Sequence, residues 1–90
     1  MSMQLTRYWI EFDRANPHLP PGTSLGVGVT GLGREDALAL VRDRVFGGPE
    51  TPRIEVMIED VDVSTLDAGH VLPNMEPPVW RGIWFPRGYT

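Results

Sequence analysis

The chain has 90 residues, with eight arginines, no lysine and twelve acidic side chains, giving a formal charge of −4. That is length for one small domain, and the charge is of the wrong sign for a surface that neutralises nucleic-acid phosphates. The lack of cysteine excludes a disulfide framework, a thiolate zinc site and a thiol nucleophile. No apolar run approaches the roughly 18 residues of a membrane span, and the first five residues lack the character of a secretory leader. A cytoplasmic domain with no membrane or nucleic-acid partner is therefore expected. A domain of this size buries only about 60–65% of its extended-chain surface and has a stability on the order of 5 kcal/mol. A large internal cavity is thus disfavoured, and a surface site is easier to accommodate.

Residues 7–13, Arg-Tyr-Trp-Ile-Glu-Phe-Asp, alternate with period two. Tyr8, Ile10 and Phe12 share one face, and Trp9, Glu11 and Asp13 the other, which is the signature of a half-buried strand. Turn signals follow at Asn16-Pro17 and Pro20-Pro21-Gly22, in a loop that also carries His18 and is longer than an ordinary hairpin connection. Residues 25–30 alternate again, with Leu25, Val27 and Val29 expected on the buried face. Gly26, Gly28 and Gly31 match the bare spacing of a dinucleotide fingerprint. They lie within the strand rather than after it, however, and no long βαβ unit completes that fold. A glycine-bearing strand covered by a neighbouring aromatic is the better account.

Residues 34–46 carry a helical stripe of Leu38, Val41 and Val45, widened by Ala37 and Leu40. Acids in the first turn and arginines near the last suit the helix dipole, and Gly47-Gly48-Pro49 ends it. Residues 53–60 return to period two, with Ile54, Val56 and Ile58 expected inward and Glu55, Met57 and Glu59 outward. Ser64-Thr65-Leu66-Asp67 has the form of a capping box, predicting a short helical turn through about His70. Prolines 73, 77 and 78 keep the next stretch irregular. Residues 79–85 offer a fourth, C-terminal strand. The expected fold is α+β: a small antiparallel sheet in ββαβ order, strands 2-1-3, with one helix packed on one face.

The opposite sheet face is the informative one. Trp9 and Met57, ringed by Glu11, Asp13, Glu55 and Glu59 over two glycines, do not make an ordinary solvated surface. Two arrangements fit. In the favoured one the tail bearing Trp80, Trp84 and Phe85 folds back and covers Trp9 and Met57 as a second, smaller core. In the other this face meets a basic protein partner, with the aromatic as anchor and the carboxylates as steering charges. Even a covered face keeps an acidic rim to recruit such a partner.

Catalytic and metal chemistry finds less support. Asp60, Asp62 and Ser64 imitate the first positions of a calcium loop, but Thr65 and Val71 stand where its glycine and bidentate glutamate belong. Asp60, Asp62 and His70 are weak candidates for a divalent ion, and no cofactor is called for. A triad drawn from Ser24 or Ser64 with a histidine and Asp67 lacks a nucleophile elbow.

The segments Arg-Tyr-Trp-Ile-Glu-Phe-Asp at 7–13, Glu59 to Asp67, His70-Val71, Pro73-Asn74-Met75 and Arg81 to Pro86 resemble a family of short bacterial proteins to which no activity is assigned. Small acidic proteins of this build also occur as immunity proteins that cap antibacterial toxins, an analogy of size and charge alone. The leading expectation is a non-enzymatic protein-interaction module. It would use Trp9, Glu11, Asp13, Glu55, Met57, Glu59, Trp80 and Trp84. The alternatives are a metal- or ligand-dependent enzyme centred on Asp60, Asp62, Asp67 and His70, and a homo-oligomer joined through the aromatic tail.

Overall fold

A computed structural model describes residues 4–13, 15, 19–20, 22–48 and 50–89. The remaining positions, among them Asn16, Pro17, His18, Pro21 and Pro49, lie outside the described residues. Four strands, β1 (Thr6–Phe12), β2 (Val27–Gly31), β3 (Ile54–Glu59) and β4 (Gly82–Phe85), form one antiparallel sheet in the order β3-β1-β2-β4. The expected 2-1-3 order is present, extended by the C-terminal strand alongside β2. Helix α1 (Arg34–Val41) continues into a wider π turn over Arg42–Phe46 and stops at left-handed Gly47.

Helix and sheet share one apolar layer. Tyr8, Ile10, Phe12, Val27, Val29 and Ile83 pack against Ala37, Leu40, Val41 and Val45. The helix lies over β2 and β4, so the opposite edge of the sheet, β3, receives little cover from it.

The second face is closed by the chain's own C-terminal half. Trp9, Val61, Val71, Trp84 and Phe85 form a second buried cluster, with Leu25, Val63, Leu66 and Met75 packed around it. The Trp9 ring stands 6.1 Å from Trp84 and 5.5 Å from Phe85 in tilted pairs, each such pair adding roughly 0.5–1.5 kcal/mol beyond area burial. Two glycines make this closure possible. A Cβ on Gly28 would collide with the benzo edge of Trp84, and one on Gly26 with the Trp9 ring. Gly26 also has φ 138°, a conformation costly for residues with a side chain. The 76–78 segment is pinned beside the sheet: Glu76 N–H donates to the Trp84 carbonyl at 2.8 Å, and the Thr30 hydroxyl to the Pro78 carbonyl at 2.6 Å.

Three sequence expectations need correction. Leu25 belongs to the Trp9 side rather than the helix side, because the positive φ of Gly26 interrupts the alternation before β2 begins. In β3 the faces are exchanged. Met57 sits opposite Ile10 and Ile58 opposite Trp9, so Met57 packs in the helix-side layer while Val56 and Ile58 are 39% and 42% exposed. Alternation groups residues onto a face, and the pairing register decides which face that is. A bulge between Glu11 and Phe12 then returns Ile54 to the helix side, opposite Phe12. The capping box at Ser64 is also replaced. Asp62 caps a 3₁₀ turn over Val63–Thr65, and Asp67 caps the turn that follows by accepting the N–H groups of Gly69 and His70.

Replacing Gly28 with alanine forces the Trp84 ring off the sheet. The expected loss is about 1–3 kcal/mol, read as a lowered urea midpoint with an unchanged slope.

Candidate functional site

The eight side chains singled out in the sequence do not form one patch. Trp9 and Trp84 are 3% and 2% exposed, closed into the aromatic stack. Glu11 shares the Trp9 face, and its Oε2 accepts the indole N–H at 3.0 Å. Asp13 holds the turn after β1 by accepting the Ala15 N–H at 2.9 Å. Glu59, opposite Tyr8, accepts the phenol hydroxyl at 3.2 Å. Burial pushes that phenol's pKa up, and the neighbouring carboxylate adds to the effect. Met57 lies in the helix-side layer, and Glu55 is exposed at the bulge, 3.9 Å from the Arg53 guanidinium. Trp80, expected to fold back over Trp9, is instead exposed just before β4 and takes no part in the buried cluster. The continuous acidic, tryptophan-bearing face is therefore divided between the two sides of the sheet by the β3 register.

What remains open on the Trp9 side is a strip along β3. Val56 and Ile58, two residues apart and both opposite β1 residues of that face, are the exposed apolar side chains. Beside them a cleft of about 300 Å³ is lined by Trp9, Glu11, Leu25, Ile58, Leu66 and Asp67, among others. Its floor is the edge of the aromatic cluster, and its rim carries the carboxylates of Glu11 and Asp67. Glu55 adds an exposed carboxylate at the bulge, next to Val56 in the same strand. No property of β3 taken alone pointed to Val56 and Ile58. The available cue was that a single short helix leaves one edge of a four-stranded sheet uncovered.

The acidic turn after β3 resolves into local hydrogen bonds. Asp62 accepts from the Ser64 hydroxyl at 2.7 Å and the Ser64 N–H at 3.0 Å, which lowers its pKa. Asp67 accepts the Gly69 N–H at 2.7 Å and lies 3.2 Å from Nδ1 of His70, and its pKa is lowered chiefly by the Gly69 N–H. The acids alternate with Val61, Val63 and Leu66, which turn toward the Trp9 cluster. Among the described residues no group of three or more His, Asp or Glu side chains converges to hold a metal ion, and no hydrogen bond joins Ser64 to His70. His18 lies outside the described residues.

A second hollow, of about 280 Å³, flanks β4 and is bordered by Arg44, Glu76, Trp80, Arg81 and Trp84. Trp80 is 72% exposed, and the Trp84 indole N–H is buried without a hydrogen-bond partner among the described residues. Arg81 is held in place by Asp36 through Nε at 2.9 Å and Nη2 at 2.6 Å. Asp36 also accepts the Leu32 N–H at 2.8 Å, tying the start of α1 to the entry of β4. No described helix is long and apolar enough to cross a membrane. No family model, curated protein or solved structure matches the chain.

The Asp36 carboxyl is lowered from the ordinary 3.8 to about 2, first by the Arg81 hydrogen bond and then by the Leu32 N–H. The fold favours its ionised form. The stabilisation is complete above 3.8 and is lost as the pH falls through about 2. The stability difference between the native chain and Asp36→Asn is thus constant near neutrality, shrinks below about pH 4 and disappears only below about pH 2. Urea midpoints of the two proteins at a series of pH values test this.

Proposed function

We propose that the chain is a non-enzymatic, cytoplasmic protein-binding domain that engages its partner through the open strip of β3. Val56 and Ile58 form the apolar centre, and Glu11, Glu55 and Asp67 the acidic rim. The observation that carries this reading is the exposure of two neighbouring branched aliphatic side chains, Val56 and Ile58, beside a cleft on the face whose aromatic cluster is buried. An apolar centre inside a polar border is the usual anatomy of a protein interface. The carboxylates steer a basic partner and disfavour acidic ones. Of the acidic face expected from the sequence, Glu11 stays on this side, and the anchor is Val56 and Ile58 rather than Trp9 and Met57. An immunity-type inhibitor capping a basic region of a bacterial toxin would be one instance, supported by size and charge.

The test is a single substitution at the centre of the strip. Ile58→Arg changes a side chain already 42% exposed, so the thermal midpoint should fall little. Affinity for a partner captured from native lysate and then purified should fall by at least about tenfold. A purified partner bound equally well by the native chain and by Ile58→Arg would overturn the assignment.

A further inference from the structure

The strip belongs to an edge strand. β3 pairs with β1 on one side, and among the described residues nothing pairs with its outer side. An edge of this kind presents unpaired N–H and C=O groups to any extended chain that approaches. Proteins commonly blunt such edges with proline or lysine. The sequence Ile54-Glu55-Val56-Met57-Ile58-Glu59 contains neither. It has a bulge at its start and glutamates bracketing Val56–Ile58.

The glutamates decide which chain fits. In the antiparallel register that would set Val56 against Ile58 of a second copy, Glu55 stands opposite Glu59. Like charges directly opposite are destabilising, so that self-pairing is opposed. An added strand with arginine or lysine opposite those two positions and apolar residues opposite Val56 and Ile58 satisfies both the charge and the alternation. Glu11 and Asp67, which line the cleft beside Ile58, extend the negative field, whereas Arg53 stands just before β3, 3.9 Å from Glu55, and Arg7 lies within β1 near Asp62. The bulge confines regular pairing to a short stretch beginning at Val56, which suits a short segment rather than a long strand.

Resting on the binding surface assigned above, we infer that the partner docks by strand addition. It contributes a short, extended, basic segment with alternating apolar residues, which becomes a fifth strand beside β3. Main-chain hydrogen bonds supply the attachment, and the alternate side chains supply the selection.

Three synthetic peptides titrated into the full chain test this: one alternating valine with arginine, one alternating valine with glutamate, and the arginine peptide N-methylated at alternate amides. The arginine peptide should bind, slow the hydrogen exchange of alternate β3 amides, and bind more weakly as salt is added. The glutamate peptide should not bind. The methylated peptide, which leaves the protein's fold untouched, should lose binding because one edge of its backbone can no longer pair. Glu55→Lys should weaken the arginine peptide by roughly tenfold. Equal binding of the methylated and parent peptides would overturn strand addition, as would protection of the β3 edge by self-association without peptide. If the peptides fail while Ile58→Arg still abolishes binding of the cellular partner, strand addition falls and the surface assignment stands. If both fail, both fall.

Discussion

The contact on which this molecule depends is the Trp84 ring lying over Gly28, with Trp9 and Phe85 beside it. A sheet has two faces, and among the described residues one helix is long enough to cover either of them. The helix seals the side formed by Tyr8, Ile10 and Phe12. The other side would be left with an open tryptophan, and it is closed only because residues 61–85 return across it. Glycine at position 28 lets the indole approach the backbone as closely as it does. Fully burying large apolar side chains stabilises by roughly 1.5–3 kcal/mol each. Against a total on the order of 5 kcal/mol, this second layer is a condition of folding.

The same closure determines where a partner can bind. The helix covers β2 and β4, the returning segment covers β1 and β2, and β3 is left at the margin of both. Its outward apolar pair and its free backbone edge are two consequences of one shortage of covering structure. The acids gathered there have a second role in this account. They oppose the self-pairing register that would set Val56 against Ile58 of a second copy, while favouring a basic strand. Asp36 plays an opposite part at the far edge. It accepts hydrogen bonds from Arg81 and from the Leu32 N–H, which tie the entry of β4 to the start of the helix.

The elements were legible from the chain because each announces itself locally. The Tyr8-Ile10-Phe12 alternation, the helical stripe ending at Gly47 and the glycine strand beneath aromatics all stand as their residues indicated. The site was less legible. Whether Met57 or Ile58 faces Trp9 is settled by pairing register, which depends on contacts between β1 and β3 that neither strand encodes alone. A shift of one residue exchanges the entire set. The left-handed turn at Gly26 likewise reversed Leu25, since a glycine can break alternation without a distinctive spacing. The acids around Asp62 and Asp67 looked like a ligand cluster because they are close in sequence. Each is instead engaged by its own turn.

Everything placed on β3 follows from Trp9 being covered, so the exposure of the three tryptophans tests the account most directly. In a chain labelled with fluorotryptophan, the fluorine resonances report solvent contact through their shift between light and heavy water. Trp80, exposed, should show a full solvent-isotope shift, and the buried Trp9 and Trp84 almost none. A full shift at Trp9 would show the sheet face to be open, and would contradict both the second core and the binding surface derived from it.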